Sequence, residues 1–381
     1  MKIAAMKEIH EGEKRVPLIP PTVDHLVKLG ADIEVEAGIG ATCRYSDADY
    51  EQAGARVVAD RRALLQSADM VLRLRKPPVR EIPLMKTGCI HVSYLDPFNE
   101  AELLEKLQAG GISAVSLEML PRSTIAQKMD VLSSQASLGG YVAVILAAGH
   151  LDKILPMMTT PSGVIKPCRA FIIGAGVAGL QAIATARRLG ARVEAFDIRP
   201  VVEEQVKSLG ARFVRIDLGE TGQTTDGYAG ALAPEQIRMQ KEGMARVCAQ
   251  SDIVITTAQV FGRMAPRIVD ASMVARMQPG SVIVDMAVET GGNVEGSEAD
   301  RIVEIDGVSI IGLANLPGRV AVTASQMYSA NLGNFIGHFW NKDAKAFDLK
   351  LEDDLIRGAL ITHAGAIFSE TYKRMMNERG E

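Results

Sequence analysis

The chain has 381 residues, of which 47% are hydrophobic and 23% charged, and its formal net charge is −4. A chain of this length exceeds one ordinary domain, so we expect two, each with its own core. The negative charge argues against a nucleic-acid partner, because such proteins carry a basic surface that neutralises phosphates. The histidines and cysteines show no metal-ligand spacing, so we predict no metal site.

Strand-like and helix-like segments alternate along the first 133 residues. Apolar runs predict strands at Lys2–Met6, Asp32–Glu36, Met70–Leu74, Gly88–Tyr94 and Ile112–Ser116. Helical spacing at Thr22–Leu29 and Arg61–Gln66 separates some of them. Such alternation predicts an α/β domain whose parallel sheet is covered on both faces.

The most membrane-like segment is Leu138–Gly149. It has about half of the ~20 residues that a spanning helix needs. We therefore interpret Leu138–Gly149 as buried, within a helix Ala136–Gly149, and predict that the chain does not itself span a membrane.

A second strand–helix series begins near Arg169. Six strands are predicted, at Ala170–Ile173, Arg192–Phe196, Arg212–Ile216, Ile253–Thr256, Ser281–Asp285 and Val308–Ile311. The apolar spacing of Ser325–Trp340 predicts a long helix that leads back to the first domain. We therefore predict a discontinuous first domain, residues 1–133 plus 325–381, and a second domain of residues 134–324.

A glycine-rich turn stands between the first strand of this series and a helix. Gly174, Gly176 and Gly179 form G-x-G-x-x-G, with Val177 and Ala178 between the last two. The three glycines would permit a tight turn, close approach of a pyrophosphate, and close packing of helix on strand. The motif predicts a dinucleotide whose diphosphate faces the helix N-terminus.

An acidic residue closes the next strand. Asp197 follows the motif at the distance where a carboxylate binds the ribose 2′-hydroxyl, and it would repel the 2′-phosphate of NADP. We therefore predict NAD and assign Asp197, Ile198 and Arg199 to its site. Arg199 is equally well explained as a solvated charge. Ala258 and Gln259, after the strand Ile253–Thr256, complete our assignment in this region.

Several segments together resemble one family. They are Met1–Ala4, Lys7-Glu8, Glu13–Val16, the glycine motif, Val282–Gly292 and Asn315–Gly318. Over essentially its whole length, the chain resembles the alanine dehydrogenase and transhydrogenase NAD-binding superfamily. The resemblance implies two Rossmann-like domains with parallel sheets and an interdomain cleft, assembled as a homodimer.

The two branches of this superfamily differ in the first domain. Alanine dehydrogenases hold their substrate with a Lys and a His, and the matching positions here are Arg75 and Asp96. Losing the His removes the side chain suited to exchange a proton near neutral pH. Arg15 matches the arginine that holds the substrate carboxylate in those enzymes, although a structural ion pair would explain it as well. An Asp of theirs is replaced by Glu289.

The segment Pro121–Gln135 is similar to the transhydrogenase loop that reaches over the nicotinamide. By that match, Arg122, Gln127, Asp130 and Ser133 are implied to be catalytic and to contact the cofactor. A polar linker that caps the following helix would explain the same residues.

A second loop shows the same resemblance. The glycine-rich stretch 217–233 resembles the transhydrogenase mobile loop, which places Gly227 and Tyr228 at its tip and Gln240 on the next helix, all near the cofactor. Tyr228 is equally well explained as an ordinary loop aromatic.

These matches imply the NAD(H)-binding subunit of a proton-translocating transhydrogenase. Hydride would pass between NADH on this chain and NADP(H) on a partner subunit. The remaining machinery would be membrane-embedded, with this chain cytoplasmic and attached to the inner membrane through its partners. The alternatives are an NAD-dependent alanine dehydrogenase and an NAD-binding protein without catalytic activity.

Overall fold

The chain folds as two compact units. The structure, a computed structural model, describes residues 1–217 and 233–379. The first unit contains Met1–Gln135 together with Gly318–Glu381, and the second contains Ala136–Pro317. The sequence predicts these divisions after residues 133 and 324.

The strands and helices are numbered in chain order. The strands are β1 (Lys2–Ala5), β2 (Asp32–Glu36), β3 (Arg56–Val58), β4 (Met70–Leu72), β5 (Ile90–Ser93), β6 (Ser113–Ser116), β7 (Met158–Thr160), β8 (Gly163–Ile165), β9 (Arg169–Ile173), β10 (Arg192–Phe196), β11 (Arg212–Phe213), β12 (Ile253–Thr256), β13 (Val282–Asp285), β14 (Arg301–Ile305), β15 (Val308–Gly312), β16 (Trp340–Asn341), β17 (Ala346–Phe347), β18 (Leu360–His363) and β19 (Ala366–Ile367). The α-helices are α1 (Pro20–Lys28), α2 (Asp47–Gln52), α3 (Arg61–Ser67), α4 (Ala101–Ala109), α5 (Val131–His150), α6 (Val177–Arg188), α7 (Glu203–Ser208), α8 (Pro234–Cys248), α9 (Ala271–Val274), α10 (Ala321–His338), α11 (Asp354–Ala359) and α12 (Glu370–Arg379).

The sheet of the first unit has eight strands in the order β19-β18-β6-β5-β4-β1-β2-β3. Strands β1 to β6 pair in parallel, whereas β18 and β19 are antiparallel at one edge. The five predicted strands are present. The sequence did not identify β3, β18 or β19. Of these, β3 and β19 lie at the two edges and have only three and two residues, too few to show a periodicity. The order reverses between β1 and β4, where open α/β sheets leave a crevice at their carboxyl ends.

The sheet of the second unit has seven strands in the order β11-β10-β9-β12-β13-β15-β14. The prediction of six strands was one short, because β14 is antiparallel and lies at the edge. In the paired register Ile173 lies beside both Phe196 and Thr256. The residues that follow β9, β10 and β12 therefore meet at one carboxyl edge.

Helix α10 packs into the core of the first unit. Its Tyr328, Leu332, Phe335 and Ile336 are all fully buried there. They follow the i, i+4, i+7, i+8 spacing of an amphipathic helix. This burial explains why the segment after Pro317 returns to the first unit.

Helix α5 begins earlier than predicted. It runs for 20 residues from Val131 to His150, so the expectation of an apolar segment about half the length of a membrane span was wrong. Among the described residues, α5 alone is long and apolar enough to cross a membrane by length and composition. Core helices of soluble proteins meet the same criterion, and 44% of its most apolar window is buried.

Candidate dinucleotide site

The glycine turn connects β9 to α6, and its backbone adopts a conformation that would be strained for any residue other than glycine. Gly174 has φ +96°, in the left-handed region that favours glycine. A Cβ on Gly179 would lie 1.9 Å from the Gly174 carbonyl oxygen. These two positions therefore require glycine for the tight turn and for the contact of α6 with it.

The N-terminus of α6 is open at Gly176. Among the residues that the structure describes, a Cβ there would meet nothing within 4 Å, and no side chain caps the helix. The first-turn N–H groups of a helix lack intrahelical partners and attract anions. The turn therefore fits a diphosphate, with Val177 and Ala178 supplying backbone N–H groups.

Helix α5 closes tightly on the same turn. A Cβ on Gly140 would lie 2.1 Å from the Ala178 carbonyl oxygen. Sequence reasoning missed Gly140 as a site residue. The signal was present, because adjacent glycines inside an apolar helix lower its stability and usually have a packing reason.

Asp197 lies directly beside the turn. Its carboxylate accepts a hydrogen bond from the Ala175 N–H at 2.8 Å. Arg199 donates to the same carboxylate from its backbone N–H and from two guanidinium nitrogens, each at 2.9 Å. The side chain of Arg199 is 18% exposed, so the interpretation of Arg199 as a solvated charge was wrong.

A cavity of about 410 Å³ opens beside Asp197 and Ile198. Its other walls include Glu203, the first residue of α7, and Arg215, just after β11. The predicted ribose-binding carboxylate therefore lies beside a partly open cavity rather than a filled core.

The turn after β12 supports the glycine turn from the opposite side. The Thr257 hydroxyl donates to the Gly174 carbonyl oxygen at 3.1 Å. Ala258 exchanges two hydrogen bonds with the side chain of Asn293, and the exposed Gln259 donates to the Met286 carbonyl oxygen at 3.2 Å. Ala258 and Gln259 thus lie at the same sheet edge as Gly174.

The fully buried Asn293 is itself held by Asp285, at the end of β13. The Asp285 carboxylate accepts from the backbone N–H groups of Ala287, Asn293 and Val294. Sequence reasoning predicted a strand here and noted the segment Val282–Gly292 as part of a resemblance, but it did not single out Asp285. An acid at the end of a strand was the available signal, but it could not reveal a partner eight residues away.

The predicted nicotinamide loop lies in the first unit. Arg122 and Gln127 are exposed there. Asp130 precedes α5, and its two carboxylate oxygens accept from the backbone N–H and the hydroxyl of Ser133, at 2.9 and 2.5 Å. Asn331 of α10 anchors the loop by donating to the Lys128 carbonyl oxygen. Asp130 therefore caps the N-terminus of α5.

Of the three residues predicted from the second loop, the structure describes one. Gln240 lies on α8 and is 8% exposed. Gly227 and Tyr228 lie outside the described residues.

Arg15 is held by protein groups in the first unit. Glu13 accepts from two of its guanidinium nitrogens, and Gln135 accepts from the third. Glu13 also accepts from Arg75 at 3.0 Å. Burial acts to raise the pKa of Glu13, but the hydrogen bonds and the charge of Arg15, together with the hydrogen bond from Arg75, outweigh burial and lower the pKa to about 2. In this structure Arg15 therefore binds the carboxylate of the nearby residue Glu13.

Asp96, which the sequence match places at the histidine position of alanine dehydrogenases, is exposed. Its side chain is 50% exposed and lies 3.7 Å from the Lys76 ammonium, and it accepts from Asn99 at 2.8 Å. Asp96 therefore lies at the surface, where Lys76 and Asn99 are its polar neighbours.

His91 is fully buried in the first unit. Its Nε2 lies 2.9 Å from the Ser93 hydroxyl, and burial together with nearby Arg73 lowers its pKa to about 3. Within residues 1–217 and 233–379, no three His, Cys, Asp or Glu side chains are grouped to hold a metal ion.

Comparison with known proteins gives a consistent result. The model of the alanine dehydrogenase/PNT N-terminal domain matches residues 4–139, and that of the C-terminal domain matches residues 143–370. The chain is 41% identical to a protein of Rhodospirillum rubrum named as the first portion of NAD(P) transhydrogenase subunit alpha, over 96% of this chain and 97% of that one. It is 31% identical to an alanine dehydrogenase of Halomonas elongata, over 86% and 84% of the two chains. The crystal structure of a transhydrogenase from Sinorhizobium meliloti superposes with a TM-score of 0.87 at 43% identity, covering 96% of this chain and 100% of that one.

The fold and these matches define an oxidoreductase of the NAD-binding dehydrogenase superfamily, with Rossmann-like α/β units as predicted. Within that class, the chain belongs to the alanine dehydrogenase/PNT family.

Proposed function

We propose that this chain is the NAD(H)-binding subunit of a proton-translocating transhydrogenase. In that role it passes hydride between NADH and NADP⁺ held on a partner subunit. The similarity to the Rhodospirillum rubrum protein over nearly the whole of both chains supports this role. The lower identity to the alanine dehydrogenase points the same way.

The observation that carries the proposal is the position of Asp197 at the glycine turn. Its carboxylate lies 2.8 Å from the backbone nitrogen of Ala175, beside the open N-terminus of α6. A diphosphate on the N-terminal N–H groups would bring the adjoining ribose hydroxyls to this carboxylate. The arrangement suits NAD(H), whose ribose carries hydroxyls and no 2′-phosphate.

At the nicotinamide end, we propose that Arg122, Gln127, Asp130 and Ser133 position the ring. Each Asp130 oxygen accepts one bond from Ser133, and a carboxylate oxygen has a second lone pair for a carboxamide N–H. With both nucleotides bound, NADH would supply the hydride and NADP⁺ would accept it, so the task of these four side chains would be to orient the ring and exclude water. The hydride step itself would transfer no proton, which is consistent with an exposed Asp96 at the position matched to a histidine.

The alternative is an NAD-dependent alanine dehydrogenase. The buried Arg15 favours it, because a guanidinium is suited to bind a substrate carboxylate. Against it, Glu13 and Gln135 already bind all three guanidinium nitrogens of Arg15. A substrate carboxylate would have to displace Glu13.

We also propose that the chain forms a homodimer and docks on membrane-embedded and NADP-binding subunits, at the cytoplasmic face of the inner membrane. The hairpin β7–β8 supports a protein partner. Met157, Met158, Val164 and Ile165 are each at least 45% exposed on it, an apolar patch of the kind that marks interaction sites.

One assay separates these functions. NADH oxidation by the purified chain is followed with pyruvate and ammonium in one cuvette, and with NADP⁺ and a transhydrogenase NADP-binding domain in another. We expect turnover only in the second cuvette, and we expect Asp130→Asn to slow it strongly while NADH affinity stays within a few fold.

The other outcomes have distinct meanings. Turnover with pyruvate would establish the alanine dehydrogenase and refute our proposal. NADH binding without turnover in either cuvette would indicate a catalytically inactive NAD-binding protein. Unchanged transfer by Asp130→Asn would remove Asp130 from the site.

A further inference from the structure

The carboxylate of Asp197 is already saturated with hydrogen bonds. Oδ2 accepts from the Ala175 N–H and from Nη2 of Arg199. Oδ1 accepts from the backbone N–H and from Nε of Arg199. A carboxylate has about four lone-pair sites, so the ribose hydroxyls of a nucleotide would find all of them taken.

A bound ribose must therefore take the place of part of this network. The two backbone N–H groups are fixed by the turn, whereas the Arg199 guanidinium is carried by a rotatable side chain. We propose that Arg199 is a specificity-determining residue. In the free chain Arg199 is the counter-ion of Asp197, and the bound ribose displaces Arg199 from that carboxylate. The positive charge of Arg199 weakens the discrimination between NAD(H) and NADP(H). This inference rests on the proposed nucleotide site.

Electrostatics give the direction of the effect. The side chains of Asp197 and Arg199 are 7% and 18% exposed, so their charges are screened less than those of surface residues. A 2′-phosphate approaching an unpaired Asp197 would meet one negative charge. Here it meets a neutral pair, and the displaced guanidinium has a planar donor fork that suits phosphate. Arg199 thus reduces the repulsion on which NAD selectivity depends.

The test is the ratio of dissociation constants, Kd for NADPH divided by Kd for NADH, measured by the fluorescence of each reduced nucleotide on the full chain. Removing the guanidinium with Arg199→Met should raise this ratio by about tenfold or more, because one charge-assisted phosphate contact is lost and an unpaired carboxylate is exposed. Arg199→Lys keeps the charge without the planar fork and should raise the ratio less.

A matched control removes an arginine elsewhere in the same unit. Arg212 pairs with Glu194 and its side chain is 62% exposed, while Arg169 also binds Glu194. Arg212→Met changes the net charge as Arg199→Met does, and it should leave the ratio unchanged.

Asp197→Asn tests the same pair from the other side. It removes the negative charge and releases Arg199 toward a 2′-phosphate, so the ratio should fall by about tenfold. This opposite shift also keeps the inference testable should Arg199→Met fail to fold.

The outcomes distinguish this inference from the proposed function. Wild-type chain that binds neither nucleotide would refute the nucleotide site itself. Wild-type chain that binds NADH, with a ratio that Arg199→Met leaves unchanged or lowers, would overturn the role of Arg199 alone. A rise in Arg199→Met and a fall in Asp197→Asn, with Arg212→Met unchanged, would establish it.

Discussion

Three glycines on helix α5 provide a graded test of how closely this helix packs on the glycine turn. A Cβ on Gly140 would lie 2.1 Å from the backbone carbonyl oxygen of Ala178. A Cβ on Gly139 would lie 3.0 Å from the terminal methyl of Met286, and one on Gly149 would meet no atom of the described residues within 4 Å. The added methyl group of a Gly→Ala substitution would therefore meet a backbone atom at Gly140, a flexible side chain at Gly139 and open space at Gly149.

The magnitude follows from the distances. Ordinary contact begins near 3.4 Å, so Gly140→Ala must separate α5 from the turn by about 1.3 Å. Overpacking of this kind costs roughly 1–3 kcal/mol, and the upper end applies because a backbone carbonyl cannot rotate away. Alanine recovers about 1 kcal/mol of helix propensity. We expect a net loss of about 2 kcal/mol, which lowers Tm by about 4–8 °C.

Gly149→Ala is the matched control and should raise stability by up to about 1 kcal/mol. Gly139→Ala should fall between the two, because the Met286 side chain can move. Thermal unfolding of all three variants gives the stability series. NADH titration of Gly140→Ala should show affinity about tenfold lower, because displacing Ala178 disturbs the N–H groups that face the diphosphate.

Equal stability of Gly140→Ala and Gly149→Ala would refute the steric contact between α5 and the turn. Loss of stability without any change in NADH affinity would refute a narrower claim, that α5 holds the turn in its binding geometry.

Three further predictions concern capping, acidity and a buried amide. Asp130→Ala should lower the free energy of unfolding by about 1 kcal/mol by removing the α5 cap, and Asp130→Asn by only a few tenths, as measured by urea titration. His91 has a folded pKa of about 3, against about 6.5 for an ordinary histidine, so the unfolded chain takes up a proton first. The wild type should lose stability relative to His91→Gln as pH falls below about 6.5, by up to about 1.4 kcal/mol per pH unit. Unfolding curves at pH 5 and 7 test this; equal stability differences at the two pH values would contradict it. Asn293 bonds Ala258 twice and the Pro266 carbonyl oxygen once. Asn293→Ala should therefore cost about 1–3 kcal/mol in thermal unfolding, and a smaller loss would mean that water replaces the amide.

Local patterns were sufficient for the central elements. The apolar runs that predicted β9, β10 and β12, and the glycines of the turn, depend on residues adjacent in the chain. Backbone conformation at Gly174 and strand periodicity are local properties, so a sequence can display them. The position of Asp197 at the end of the next strand was accessible for the same reason.

Short or edge elements were less accessible. Strands β3 and β19 have three and two residues, too few to show an alternating pattern. The start of α5 was misplaced by five residues because Val131–Gln135 carries polar side chains whose helical state depends on the Asp130 cap.

By itself, the sequence determined the α/β class, the dinucleotide turn, the acid that follows it and the family resemblance. Only the tertiary structure decided that Gly140 must be glycine, that Arg199 neutralises Asp197, and that Glu13 and Gln135 occupy the guanidinium of Arg15. The reason is physical. Each of these facts is an approach distance between atoms, set by how strands and helices pack, and for Gly140 with Ala178 or Arg15 with Gln135 the partners are far apart in the chain.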